Sequence, residues 1–326
     1  MFILSKSILS IFLGYVIAIS LGFIIVPLFK KIGLVQNVSR SINLRHLVKD
    51  KTPTMGGLIF ILPSVIILSF LFINKNVSFA INFIIVIISF ILYAFLGFLD
   101  DFLKIKYHNN KGLSILKKFI IEILIALSIF IIFILMGNST VISFLNFKID
   151  LNYLYGIFIL LLMISTTNAV NITDGLDGLC AGISLIAFLT YGIIAWKYNH
   201  IVGNELIAIF CFIMVGSLLG FLHFNFYPAK IFMGDLGSLA LGGSIAAISI
   251  ILKIELSLLI IGFVFVIETL SSLLQILSIK IFRKRLFKKS PLHHHFEEEG
   301  MVESDIIKLF YMISIICSLI SLIYYT

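Results

Sequence analysis

This sequence predicts an all-α, polytopic integral membrane protein with about ten transmembrane helices, and three observations predict it. Hydrophobic residues make up 60% of the 326 and charged residues only 12%, against about 25% charged in a soluble domain. Apolar stretches recur that are long enough to cross about 30 Å of hydrocarbon, which takes roughly 20 residues of helix. Five aspartates, Asp100, Asp101, Asp174, Asp177 and Asp235, stand where such stretches end. A carboxylate at the bilayer centre costs about 2.5–3.5 kcal/mol on insertion scales, so these five read as one site at the membrane surface.

The apolar stretches lie near residues 8–29, 57–73, 79–99, 119–136, 151–168, 180–196, 205–224, 236–252, 256–280 and 305–325, in one membrane domain spanning 1–326. The first is too long for the apolar core of a secretory signal and lacks a small-residue cleavage pattern, so it is expected to remain as a helix. Cys180, Cys211 and Cys317 are dispersed inside apolar runs without metal-ligand spacing, which argues for small core residues rather than disulfides or zinc. Gly178 with Gly182, and Gly216 with Gly220, have the spacing that lets helices approach closely.

A net charge of +8 does not point to nucleic acid, because the charges are placed by topology. Eighteen of the 24 basic residues fall on the odd-numbered connections, near 30–56, 100–118, 169–179, 225–235 and 281–304. By the positive-inside rule those connections are cytoplasmic, and both termini lie on the periplasmic or outer side of a cytoplasmic (inner) membrane. All five aspartates then face the cytoplasm.

The first connection closes on Pro53-Thr54-Met55-Gly56-Gly57. Thr54 is expected to cap the second helix, and the paired glycines permit close backbone approach; with Lys49 beside it, the same helix start would suit a phosphate. Asp100 and Asp101 close the third helix at its negative dipole end, where carboxylates are unfavourable. A salt bridge from Asp101 to Lys104 is the bland alternative. Residues 168–179, with Asn168, Asn171, Asp174, Gly175, Leu176, Asp177 and Gly178, form the densest polar island. Its oxygen donors suit Mg²⁺, or the hydroxyl and amide groups of a nucleoside, whereas a single Asp-Gly would mean only a turn. Asn225 opens the next connection, which ends on Phe232, Gly234 and Asp235. Asp235 is either a plain N-cap or part of an anion and metal site at a helix N-terminus. Phe232 is able to stack on a base. In the last cytoplasmic connection His293, His294 and His295 cannot all point one way, which argues against a three-histidine zinc site. Imidazoles there are suited to hydrogen-bond a pyrophosphate, and the basic run before them to hold anionic lipid headgroups.

Taken in order, PTMGG at 53–57, DDxxK at 100–104, NAVNxTDGLDGL at 168–179, NxxPAxIFMGDxGS at 225–238 and PLHHHFE at 291–297 resemble the polyprenyl-phosphate N-acetylhexosamine-1-phosphate transferases. The PLHHHFE run favours their phospho-N-acetylmuramoyl-pentapeptide-transferase branch over the N-acetylglucosamine relatives. The resemblance spans nearly the whole chain. It implies Mg²⁺-dependent transfer of phospho-N-acetylmuramoyl-pentapeptide from its UDP carrier to undecaprenyl phosphate, giving lipid I and UMP in peptidoglycan synthesis, by a homodimer. Carried over by position, Asp235 is the implied Mg²⁺ ligand, Asp100 the base or phosphate-orienting group and Asp101 its neighbour. Lys49, Thr54, Lys104, one of the adjacent Lys117 and Lys118 (Lys118 by position), Asn171, Asp174 and His294 would line the site, flanked by His293 and His295. Gly175, Leu176, Asp177, Asn225, Phe232 and Gln275 would hold the uridine.

Pyrophosphate cleavage needs charge neutralisation and alignment more than covalent help, which lysines and a metal supply. Two alternatives make different demands: a transferase using UDP-N-acetylglucosamine would share the fold, and an ion-coupled transporter would place its carboxylates near the midplane.

Overall fold

The computed structural model describes residues 2–34, 52–74, 80–107, 112–144, 147–198 and 201–326. Helices α1 (Phe2–Ile32), α2 (Leu58–Ile73), α3 (Phe83–Lys106) and α4 (Ile115–Leu135) are followed by a hairpin of β1 (Val141–Phe144) and β2 (Phe147–Asp150). Then come α5 (Leu154–Thr173), α6 (Leu179–Lys197), α7 (Asn204–Asn225) and α8 (Gly234–Ile251). A 3₁₀ turn (Glu255–Ser257) leads into α9 (Leu258–Ile261), α10 (Phe263–Phe282), α11 (Leu292–Glu298) and α12 (Glu303–Tyr325).

Among the described residues nine helices are long and apolar enough to cross a membrane, and α2, with 16 residues, is the short tenth. Two departures from the expected layout have simple causes. The antiparallel hairpin, with Val141 opposite Asp150 and Phe144 opposite Phe147, occupies the connection between the fourth and fifth apolar stretches. It is too short to register as a periodic pattern. The ninth apolar stretch is one hydrophobic run but not one helix: it breaks at Gly262, so α9 and α10 are separate. Hydropathy measures apolarity and is blind to a backbone break.

α7 and α8 form the centre. α7 packs against α1, α2 and α6, and α8 against α3 and α5. On α8 every residue from Leu236 to Ile251 is buried, as expected of a helix that is apolar all round. Gly216 and Gly220 let α7 meet the backbone of α1 at Ile11 and Tyr15, which is the close approach their spacing suggested. Cys180 and Cys211 are buried core thiols, while Cys317 on α12 is partly exposed, and all three are free.

Candidate active site

The carboxylates of Asp100, Asp101 and Asp235 converge where α3 meets the N-terminus of α8. One oxygen from each falls within 4.8 Å of the others. Lys104 Nζ stands 2.7 Å from Asp100 Oδ2, 3.2 Å from Asp235 Oδ1 and 3.7 Å from Asp101 Oδ1. Lys118 Nζ reaches Asp235 Oδ2 from α4 at 2.7 Å, whereas the adjacent Lys117 is exposed. Asn171 of α5 donates to Asp235 Oδ1 at 3.0 Å and to Ser238 Oγ at 2.8 Å.

The local backbone explains the convergence. Gly97, one turn before Asp100, lies against the backbone of Asp235 and Leu236, where any Cβ would collide. A larger residue there would push α3 and α8 apart and separate the carboxylates. Gly234 has φ +76°, and its missing side chain leaves room for the Asp101 carboxylate. Asp101 Oδ2 accepts the N–H of Leu236 at 3.0 Å. Asp101, from another helix, therefore serves one of the orphan amides at the start of α8, and Asp235, which makes no capping bond, is free to turn to the lysines. Asp100 is held by Leu113 N–H at 2.8 Å. The bland Asp101–Lys104 bridge exists, but at 3.7 Å it is the longest of Lys104's three contacts.

Asp174 follows the end of α5, and burial, then the charges of Asp235, Asp101 and Asp177, push its pKa up to about 8. Crowding dominates there even though Asp174 keeps some exposed surface. Asp177 and Asn225 tie loops together: Asp177 Oδ2 accepts Ala229 N–H at 2.9 Å, Asn225 Oδ1 accepts Gly178 N–H at 3.0 Å, and Asn225 Nδ2 donates to Ile231 O at 2.9 Å. Leu176 is buried and Gly175 exposed.

Thr54 does not cap α2. Gly57 occupies the N-cap position, and the buried Thr54 hydroxyl, without a partner among the described residues, lies beside Gly234. The reason is a pairing between loops: Phe232 N–H donates to Pro53 O and Gly56 N–H to Phe232 O, both at 2.8 Å, and Gly57 N–H to Met233 O at 3.0 Å. That pairing draws Thr54 away from the helix start, and Phe232 is half-buried within it. Lys49 lies outside the described residues.

The three histidines diverge as expected. His293 is bonded to Glu268, His294 Nδ1 is 2.6 Å from Glu297 Oε2, and His295 Nδ1 accepts Lys288 N–H at 3.3 Å. Burial is the largest influence on His294 and lowers its pKa against the pull of Glu297, which favours a neutral ring. Gln275 holds the connection itself, accepting Leu286 N–H at 3.0 Å and Phe287 N–H at 2.9 Å.

A cavity of about 400 Å³ opens beside the carboxylates, lined by Asp100, Lys104, Lys118, Glu122, Asn168 and Asp235. Glu122 is buried and accepts Asn168 Nδ2 at 2.7 Å, while its Oε1 has no partner among the described residues. The sequence reading passed over Glu122 and Glu268. The signal that would have found them is the cost of any carboxylate inside an apolar span. The oxygen-only donor set of Asp100, Asp101 and Asp235 fits a hard divalent cation such as Mg²⁺.

Comparison with known proteins is consistent along the chain. Residues 83–253 match the model of glycosyl transferase family 4, and residues 49–61 match phospho-N-acetylmuramoyl-pentapeptide-transferase signature 1. The chain is 42% identical over 321 residues to the phospho-N-acetylmuramoyl-pentapeptide-transferase of Oceanobacillus iheyensis, covering 97% of each chain. It is 45% identical over 325 residues to that of Staphylococcus saprophyticus, covering 96% of this chain and 98% of the relative. With that of Clostridium perfringens it shares 41% over 312 residues, 95% of this chain and 96% of the relative. With similarity of this extent running through both ends of the acidic site, the chain belongs to the phospho-N-acetylmuramoyl-pentapeptide-transferase family.

Proposed function

We propose that this chain transfers phospho-N-acetylmuramoyl-pentapeptide from UDP to undecaprenyl phosphate, forming lipid I and releasing UMP in the first membrane step of peptidoglycan synthesis. The observation that carries the reading is the convergence of Asp100, Asp101 and Asp235 with Lys104 and Lys118 in a family member. The protein is a multi-pass inner-membrane enzyme with both termini outside, so the site faces the cytoplasm, where the nucleotide donor is. It works as a homodimer.

Asp235, with Asp100 and Asp101, would hold Mg²⁺, which when bound supplies neutralisation of the pyrophosphate charge. Lys104 and Lys118, already aimed at Asp235, then stabilise the charge that shifts to the leaving UMP. The second pKa of a phosphate monoester is near 6, so the lipid acceptor is mostly dianionic at pH 7 and needs no base to become a nucleophile. Asp100, fixed by Leu113 N–H and Lys104, orients that phosphate. An apolar groove of about 240 Å³ between α5 and α10, lined by Leu162, Ala169, Phe265 and Leu270 among others, suits a polyprenyl chain. Asp177 and Asn225, together with Gly175, Leu176, Phe232 and Gln275, shape the uridine side, and Thr54, Asn171, Asp174, His294 and Lys49 complete the donor site.

UMP release in detergent, with undecaprenyl phosphate and Mg²⁺, tests this directly. Release is expected with UDP-N-acetylmuramoyl-pentapeptide and is expected to fall by about 10³-fold or more in Asp235→Ala, the scale of losing a principal electrostatic group. Release with UDP-N-acetylglucosamine alone would move the chain to the sibling specificity.

A further inference from the structure

α10 carries three buried polar side chains, Glu268, Ser271 and Gln275, at spacings of three and four that place them on one face. Two of them hold the connection between α10 and α12. Gln275 binds its beginning through Leu286 and Phe287. Glu268, two turns deeper, has no exposed surface and spends both oxygens on a single residue. Its Oε1 accepts the backbone N–H of His293 at 3.2 Å, and its Oε2 meets Nδ1 of the same ring at 3.0 Å.

A carboxylate inside an apolar span is an expensive way to anchor a short helix, because a neutral side chain would serve the backbone N–H at lower cost. What the carboxylate adds is control of the ring. With Nδ1 held against Glu268 Oε2, the ring is fixed in place and Nε2 is turned away from α10. That Nε2 is buried and has no hydrogen-bond partner among the described residues. It lies against Gly175, where a Cβ would collide with it. The ring therefore ends on the turn that follows α5, the helix whose Asn171 donates to Asp235.

We propose that Glu268 is a positioning residue for the transfer reaction, holding the His293 imidazole so that Nε2 makes a hydrogen bond to the nucleotide-sugar donor at the Gly175 turn. This rests on the transferase reading above.

The test is two-substrate kinetics on the purified full chain in detergent with Mg²⁺, comparing wild type, Glu268→Gln, His293→Ala and the double variant, with melting temperatures taken in parallel. Glu268→Gln is expected to raise the KM for the donor by about tenfold, the scale of one well-placed hydrogen bond, with the KM for undecaprenyl phosphate unchanged. It is expected to add nothing in the His293→Ala background. Losses that multiply in the double variant, or a parallel fall in both substrates' parameters together with the melting temperature, would overturn the assignment in favour of a purely structural anchor. If Glu268→Gln does not fold, His293→Gln is read in the same assay, and an unchanged donor KM there overturns it. No UMP release from folded wild-type protein would instead overturn the transferase reading, a result distinct from any pattern among the variants.

Discussion

The two ends of α8 both carry lysine–carboxylate clusters, and they are built on opposite principles. Beyond its C-terminus, Lys253 Nζ donates to Ser139 O at 2.7 Å, to the Tyr155 hydroxyl at 2.8 Å and to Glu255 Oε1 at 3.2 Å, and sits over the Tyr155 ring at 4.4 Å. One ammonium meets one buried carboxylate, and the cation also suits the negative end of the helix dipole. At the N-terminus, 18 residues away or about 27 Å of helix, Asp100, Asp101, Asp174 and Asp235 gather around Lys104 and Lys118 among the described residues. The balanced cluster is a fastening. The unbalanced one gathers more carboxylates than ammoniums, an arrangement that a cation would relieve and that perturbs titration as functional sites do.

That contrast can be broken by exchanging the kind of damage done at each end. Lys118→Met is expected to lower UMP release by about a hundredfold, the scale of losing one preorganised charge-stabilising group, while the fold persists because Lys104 still neutralises the cluster. Lys253→Met is expected to cost about 2 kcal/mol of stability through its lost hydrogen bonds to charged and polar partners, lowering the melting temperature by several degrees and leaving turnover of the folded enzyme unchanged. Should Lys253→Met instead slow turnover as much as Lys118→Met does, the two ends would not divide stability from chemistry.

A subtler comparison uses pH. With its pKa raised to about 8, Asp174 holds its proton in the folded state over a range where the unfolded chain has released it. Its contribution to stability is fully present below the unfolded carboxylate value near 3.8 and is lost as pH rises to about 8. Melting temperatures of the metal-free protein should therefore fall across that window, and Asp174→Asn should flatten the decline. An identical slope in the variant would remove Asp174 from the acidic cluster.

The spans and the acidic span ends were legible because each rests on a local signal: twenty apolar residues in a row, or a carboxylate beside them. The break at Gly262 and the hairpin at 141–150 were not, since neither changes hydropathy over a window long enough to notice. Within the acidic cluster, the carboxylates of Asp235 and Asp100 stand out in the sequence, but Thr54 was misplaced as a helix cap because the segment its loop pairs with, at Phe232 and Met233, lies far away in sequence. That Lys118 rather than Lys117 reaches Asp235 depends on the rotation of α4 about its axis, which adjacent identical residues cannot reveal.

By itself, then, the sequence determined that the chain is a bundle of apolar helices and that its carboxylates lie at their ends, because the cost of burying charge in hydrocarbon acts on each segment separately. Only the tertiary structure decided which of those ends meet. The approach of α3 to α8 at Gly97, the service of Asp101 to Leu236 and the grip of Glu268 on His293 all depend on short-range contacts between residues 25 to 140 positions apart in the chain. Such contacts follow from how the helices pack together, and no local signal encodes them.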